Sequence, residues 1–344
     1  MAGNYSNDIG QQNSLEARVV MLTSKMDELV SKAAVTSDMQ ADPAMVQATQ
    51  EANKFKLATP DTQGLGAYDR KFGYAMGNAT LSWEEYTLRY ERSRAFMLDN
   101  IDVMQTAGLA AASKMMGTFV KRRVVPEIDS LRIAAVAERA ISGKSDYENA
   151  VYEQTITKAD VISKLREGFD NIFQNFYVEN GLIVYMDAAY RNILQGSEEF
   201  TTVRDVNGGN AINGTIDMVD GNQIKWIPSA YMKTKFDLND GVTTGQEAGG
   251  VKPASDAKSI NFLIRAPDTA FGIVGLNSTK FIAKENNILA DADFMALRLY
   301  HDAIVPKNCI PGVYVSIKES EARETETVEA VQTYTRTSKS KQTA

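Results

Sequence analysis

Between Tyr68 and Tyr90 the chain alternates aromatic and charged residues at strand spacing, in two runs of about ten residues around Gly77-Asn78. Tyr68, Arg70, Phe72 and Tyr74 share one face of the first run. Gly77 and Asn78 both tolerate positive φ, so a turn is expected there. The return run places Leu81 and Trp83 on one parity and Tyr86, Leu88 and Tyr90 on the other. Side chains alternate faces with period two, so this change of phase at Glu84-Glu85 predicts a bulge or bend. Arms of about ten residues measure roughly 33 Å, whereas a compact chain of this length has a radius of gyration near ~20 Å. Such a hairpin either lies flat on its own body or projects from it. If it projects, its charged face (Asp69, Lys71, Glu84, Arg89, Glu91, Arg92) and its aromatic face need a partner.

The composition limits what that partner and the rest of the chain can do. At 344 residues the chain is long enough for two or more folding units. A single cysteine excludes an internal disulfide framework and a cysteine-based zinc site, and a single histidine excludes multi-histidine metal centres. With 37 basic against 44 acidic residues the net charge is −7, which argues against a main task of gripping nucleic-acid phosphate. No apolar run reaches the roughly 18 residues that span a bilayer, so no membrane partner is expected. The N-terminus lacks the basic-then-apolar order of a signal peptide.

Catalytic motifs are missing as well. There is no G-x-G-x-x-G, phosphate loop, H-E-x-x-H or G-x-S-x-G, so neither a cofactor nor a metal is expected. The run from Asp205 to Asn210 has the look of a calcium loop but no acidic ligand at the twelfth position. His301-Asp302 is a candidate acid–base pair, although adjacent residues point different ways, and a structural histidine capped by its neighbour is the simpler reading. Cys309 reads as a buried small residue. Glu127 and Asp129 can also be read as paired carboxylates for glycoside chemistry, but they follow Pro126, where acidic residues suit the start of a helix without catalysis.

The remaining organisation is α+β. Leu15, Val19, Leu22, Met26, Leu29 and Ala33 form a seam of about three heptads, packing on its own domain or on a neighbouring subunit. Ser37 to Gln63, with Pro43 and Pro60, reads as a linker with one short helix. An alanine-rich helix is expected from Asp102 to Val120, with Lys121-Arg122-Arg123 complementing its C-terminal dipole and Pro126 stopping it. A second helix then opens at Glu127. After a polar connection from Gly143 to Glu153, Thr157 with Asp160 caps another helix. Its apolar stripe is Val161, Leu165, Phe169, Ile172, Phe173 and Phe176. Leu182–Met186 reads as a buried strand, Ala188–Leu194 as a short helix, and Asp220-Gly221-Asn222 as a hairpin turn. Asp237 to Asp256 reads as loop, and strands resume at Ile260–Arg265 and Ala270–Leu276. A helical or irregular segment is expected at Ala290–Tyr300, then strands at Ala303–Val305 and Gly312–Ile317. The polar tail from Lys318 is expected to be disordered or an added extension.

The order of several short motifs resembles the major capsid proteins of tailed bacteriophages. They are Gly66-Ala-Tyr68-x-Arg70-x-Phe72-Gly73-Tyr74, Leu81-Ser-Trp83-x-x-Tyr86-x-Leu88, Arg92-x-Arg94-x-Phe96-x-Leu98-Asp99 and Val124-Val-Pro-Glu-Ile-Asp129-x-x-Arg132. Asp220-Gly221 before Trp226-Ile-Pro228-Ser229 and the run from Asp291 to Val305 are similar to the same family. The resemblance implies a Hong Kong 97-type fold: an arm over residues 1–63, an extended hairpin loop over 64–100, and a peripheral domain with a long spine helix over 101–156. It further implies an axial domain over 157–279, a return into the peripheral domain over 280–317, and a tail over 318–344. The implied function is a non-enzymatic structural subunit, self-assembling as hexamers and pentamers into the icosahedral or prolate shell of a virion. That shell encloses double-stranded DNA without sequence-specific binding and is assembled in the host cytoplasm. A scaffolding protein, a portal and decoration proteins are the other implied partners. Candidate subunit contacts are Tyr68, Arg70, Tyr74, Trp83, Tyr86, Leu88, Arg89, Glu91 and Arg92. The alternatives are the shell of a bacterial encapsulating nanocompartment and, from another class, a hydrolase using His301.

Overall fold

In a computed structural model of the chain, the aromatic hairpin begins well before the tyrosine-rich run. Strand β2 (Lys54–Thr62) pairs antiparallel with β3 (Ala79–Thr87), from Lys54 opposite Thr87 to Thr62 opposite Ala79. The structure describes residues 34–41, 46–48, 53–71, 73–74, 76–99, 115–153, 156–197, 218–282, 286–288 and 290–318. The heptad seam, the expected helix as far as position 114 and the tail after Lys318 lie outside these. Two compact units emerge, one comprising residues up to Arg132 plus Phe271–Ile304, the other Ile133–Ala270 plus Val305 onward.

In the first unit, the stretch expected to be a linker therefore supplies one hairpin arm. Phe55 and Leu57 alternate with Lys54 and Lys56, a period of two that buries one face. Strand β1 (Val46–Ala48) pairs with β2 only at Phe55–Leu57, and among the described residues nothing pairs with Pro60 on the side away from β3, so no ladder bond is lost there. The expected turn at Gly77-Asn78 is replaced by a long connection over residues 63–78. Within it, among the described residues, only Asp69 and Gly73 (φ 82°) form a bridge. The expected bulge at Glu84-Glu85 is also not there, because the β2–β3 register runs without a shift. Trp83, Glu85 and Thr87 face outward and Glu84, Tyr86 and Leu88 inward; the apparent change of phase arose because Trp83 is on the exposed face.

Pairing then changes hands. At Leu88-Arg89 the ladder breaks, and β4 (Tyr90–Asp99) joins β13 (Ala292–Ile304), which also pairs with β12 (Phe271–Ile282). The segment expected to be helical or irregular at Ala290–Tyr300 is thus the middle strand of a sheet. Met295, Leu297 and Leu299 point to one side, against Met116, Val120, Val125 and Ile128. Leucine, methionine and alanine favour helix intrinsically, but burial of alternate residues against a helix overrides propensity.

Pro126 does not stop the helix. Residues 115–119 are helical, Val120–Val124 form a π turn with Val125 N–H donating to Val120 O, and α1 (Val125–Ser142) continues. Proline ordinarily clashes with the carbonyl four residues earlier, and the wider turn relieves that clash. Lys121, Arg122 and Arg123 are therefore exposed on a π turn rather than capping a helix end.

The second unit holds a six-stranded sheet in the order β5 (Ala150–Glu153), β14 (Val313–Lys318), β11 (Ile260–Arg265), β6 (Ile183–Asp187), β8 (Asn222–Ile227), β7 (Met218–Val219). The expected polar connection before it carries α2 (Lys144–Tyr147) as well as β5. Strand β14 completes this sheet, so residues 280–317 do not return as one piece: β13 stays with the first unit. Helix α3 (Val161–Asn175) packs on the sheet through Val161, Leu165, Phe169 and Ile172, while Phe173 is exposed rather than part of the stripe. Asp160, not Thr157, is the residue that precedes the helix; its carboxylate accepts from the Thr157 N–H and hydroxyl, but no side chain caps the helix N–H groups, so the expected Thr157 cap does not form. A Cβ at Gly168 would lie 2.6 Å from Ile264 Cδ1 and 2.9 Å from the Tyr314 ring, so this glycine sets the helix–sheet distance. Asp220 (φ 49°) and Gly221 (φ 82°) make the tight turn between β7 and β8. The expected loop at 237–256 contains the paired strands β9 (Phe236–Leu238) and β10 (Val251–Pro253), and α4 (Arg191–Gln195) is the expected short helix.

Candidate functional site

The hairpin is the feature whose surface is least explained by its own chain. At its tip Leu65, Tyr74 and Met76 are at least 86% exposed and Tyr68 is 64% exposed. Tyr68 and Tyr74 meet edge to face at 5.3 Å, and Arg70 beside them is exposed. Asp69 and Gly73 exchange backbone hydrogen bonds of 3.1 and 2.8 Å, which sets the two tyrosines on one small turn. Lower down, Trp83 projects from β3 at 44% exposure.

The inward residues of the hairpin are committed within the chain. Tyr86 stacks on Phe55 at 5.8 Å and its hydroxyl donates to the Glu84 carboxylate. Leu88 is buried with Phe55, Leu57, Phe271, Ile273 and Ile304, so it is a core residue and unavailable to a neighbour. Arg89 grips buried Asp302 with both Nε (2.9 Å) and Nη2 (3.1 Å), and its backbone N–H donates to the same carboxylate at 3.2 Å. This fork fixes the base of the hairpin where the ladder changes partner. Arg92 Nε donates to Glu127 at 2.5 Å. On the outer face Arg298 donates to Glu91 at 2.5 and 2.8 Å, and hydrogen bonds from Tyr300 and Arg298 hold the Glu91 carboxyl below its ordinary range. Of the nine candidate contacts, Tyr68, Arg70, Tyr74, Trp83, Arg89 and Glu91 thus present exposed surface, Arg89 while anchored on Asp302; Tyr86, Leu88 and Arg92 face inward.

A second construction was not legible in the sequence. Residues 34–41 are clipped by one turn of α1: Asp129 accepts from Val35 N–H (3.1 Å), Thr36 N–H (3.0 Å) and Thr36 hydroxyl (2.6 Å). Arg132 donates to Thr36 O and Gln40 Oε1, each at 3.1 Å, and Ala41 N–H bonds Gly272 O at 3.0 Å. The i, i+3 spacing of Asp129 and Arg132 places both on one helix face, the sole sequence signal for the clip.

No protein-family model matches the chain, and no curated protein does. Solved structures do match. The capsid structure of cyanophage P-SCSP1u aligns at TM-score 0.53 and 13% identity, over 80% of this chain and 86% of that one. The mature capsid of bacteriophage PhiM1 aligns at TM-score 0.53 and 11% identity, over 80% and 85%. The chain has a phage capsid fold. A Mycobacterium phage Che8 chain aligns at TM-score 0.50 and 13% identity, covering 81% of this capsid-fold chain and 94% of that one. The Hong Kong 97-type label suggested by the sequence resemblance agrees with these matches.

Within this capsid fold the catalytic candidates are spoken for. Asp302 holds Arg89, not His301, so the expected capping of the histidine by its neighbour does not occur. His301 is buried against Tyr90, neither ring nitrogen has a hydrogen-bond partner among the described residues, and burial beside Arg132 and Arg92 lowers its pKa to about 3. Burial beside Asp268 pushes the Cys309 thiol up to about 11. Glu127 and Asp129 serve Arg92 and the clipped segment, and neither faces the other as an acid–base pair. The Asp205 loop lies outside the described residues. Among those described there is no cluster of three or more His, Cys, Asp or Glu suited to a metal, and no helix long and apolar enough to cross a membrane.

Proposed function

We propose that the chain is the structural subunit of a tailed-phage shell, assembling with copies of itself into hexamers and pentamers that close around double-stranded DNA. The observation that carries this reading is the hairpin tip, where Leu65, Tyr68, Tyr74 and Met76 stand in solvent on a lone chain that has a capsid fold. A closed shell of one repeated chain needs heterologous contacts, and an apolar tip on an arm of nine residue pairs supplies one. On this reading the first unit is the peripheral domain with the hairpin as its extended loop, and the second is the axial domain. The net charge of −7 suits a wall that encloses DNA without holding it. Assembly would take place in the host cytoplasm with a separate scaffold, and the shell would carry a portal and decoration proteins. The role is structural rather than enzymatic.

The test is deletion of residues 65–76, closing the hairpin at Gly64 and Gly77 while leaving β2 and β3 paired. The variant should remain folded by circular dichroism yet yield only monomers or capsomers by size exclusion and negative-stain microscopy. Closed shells from the deletion variant would refute the proposal.

A further inference from the structure

One basic site in the second unit lies beside the end of β14. Lys144 from α2 and Lys258 from the loop before β11 both lie over the Tyr152 ring of edge strand β5, with Nζ 4.2 and 4.5 Å from its centroid. Both lysines are exposed, and neither has a carboxylate partner among the described residues. The neighbouring lysine Lys235 is already neutralised by Asp256 at 2.7 Å. Two ammonium groups sharing one ring repel each other, and the ring quadrupole compensates only part of that repulsion. The site is thus receptive to anions, with the ring already engaged by lysines rather than open for a base to stack.

The end of β14 is built against this site. Ile317 is the register partner of Tyr152, and the Lys318 N–H donates to the carbonyl of Ser259, the residue next to Lys258, at 2.8 Å. The sequence that follows carries Glu319, Glu321, Glu324, Glu326 and Glu329 against a single Arg323. We propose that Lys144, Tyr152 and Lys258 form a docking site for this acidic stretch of the same chain. Tethering favours it over any free anion, because a short linker holds the second group at an effective concentration on the order of millimolar. The inference goes beyond the shell reading and its test reads residue pairs, so either can fail without the other.

The experiment is zero-length carbodiimide coupling of the full chain, mapped by mass spectrometry, with Lys235–Asp256 as the internal control. Amide links from Lys144 or Lys258 to one of the five glutamates are expected. They should fall at least tenfold in roughly 1 M salt, where the screening length is about 3 Å. In a mixture of light and 15N-labelled chains the links should join peptides of one isotope. A full-length variant with all five glutamates changed to Gln should show several-fold faster acylation of Lys144 and Lys258 by an N-hydroxysuccinimide ester. Control links without tail links, mixed-isotope links, or unchanged acylation would each overturn the proposal. So would duplex DNA binding by the native chain that is lost in the Lys144→Gln/Lys258→Gln variant, because the site would then belong to phosphate.

Discussion

His301 makes the stability of the first unit depend on pH in a window where carboxylates contribute little. Its ring is buried in β13 beside Tyr90, Arg92 and Arg132, and its pKa falls from 6.5 to about 3. A depressed pKa means that the unfolded chain takes up the proton first. The stabilising contribution is therefore complete above pH 6.5 and is lost as pH falls from there towards 3. At pH 5 the folded ring is still neutral while the unfolded one is about 97% protonated, a difference of 1.5 pH units from the unfolded pKa, or about 2 kcal/mol. Asp240, whose pKa is lowered to about 2 by hydrogen bonds from Thr243 and Val242, and Glu91, whose carboxyl is held below 4.5 by Tyr300 and Arg298, lose their contributions only below their unfolded values and leave the comparison of pH 7 with pH 5 clear. The assay is urea unfolding at pH 7 and pH 5, followed by Trp83 fluorescence in a Trp226→Phe background so that the signal reports the first unit. The native histidine should lose about 2 kcal/mol between the two pH values, and His301→Phe should lose little. Equal losses in both proteins would refute the reasoning, as would a folded-state histidine titrating near 6.5 by NMR. The assignment needs no mutagenesis, since the chain has one histidine.

Two further perturbations test how the pieces are held. Asp129→Ala removes three hydrogen bonds from the clipped segment and leaves the Thr36 N–H buried without a partner, a cost of about 3 kcal/mol. Limited proteolysis between Ala34 and Gln40 should accelerate accordingly; unchanged cleavage would show that the clip does not hold the segment. Gly168→Ala forces a methyl group against Ile264 and Tyr314 and should cost about 1–3 kcal/mol, read as a lower melting temperature for the second unit. An unchanged melting temperature would mean that α3 can shift outward freely.

The parts of the fold legible in the sequence are those decided by neighbours in the chain. The stripe from Val161 to Ile172 and the Asp220-Gly221 turn are local, and each stands where its pattern indicates. The misreadings share a non-local cause. Pro60 disguised β2, because only pairing with β3 shows that its missing donor faces away from that ladder. Leucine and alanine disguised β13, whose strand character comes from a helix packed across it. The tyrosines at 68 and 74 imitated a strand while standing on an exposed tip. The site was half visible: aromatic alternation located the hairpin, but nothing near Leu88 announced that it packs on Phe271 and Ile304.

The break at Leu88-Arg89 gives the hairpin the mechanics of a lever. Its nine-residue arm is about 30 Å long, whereas the Arg89–Asp302 fork sits at the fulcrum. A rotation of about 0.1 radian there would carry the tip through about 3 Å, one hydrogen-bond length. Because Phe55, Leu57 and Leu88 at the foot of the hairpin pack on Phe271, Ile273 and Ile304, such a rotation would also have to slide those side chains over that core. Tilting the tip would therefore load both the Arg89–Asp302 fork and the packed foot of the hairpin, with the ladder above them left intact.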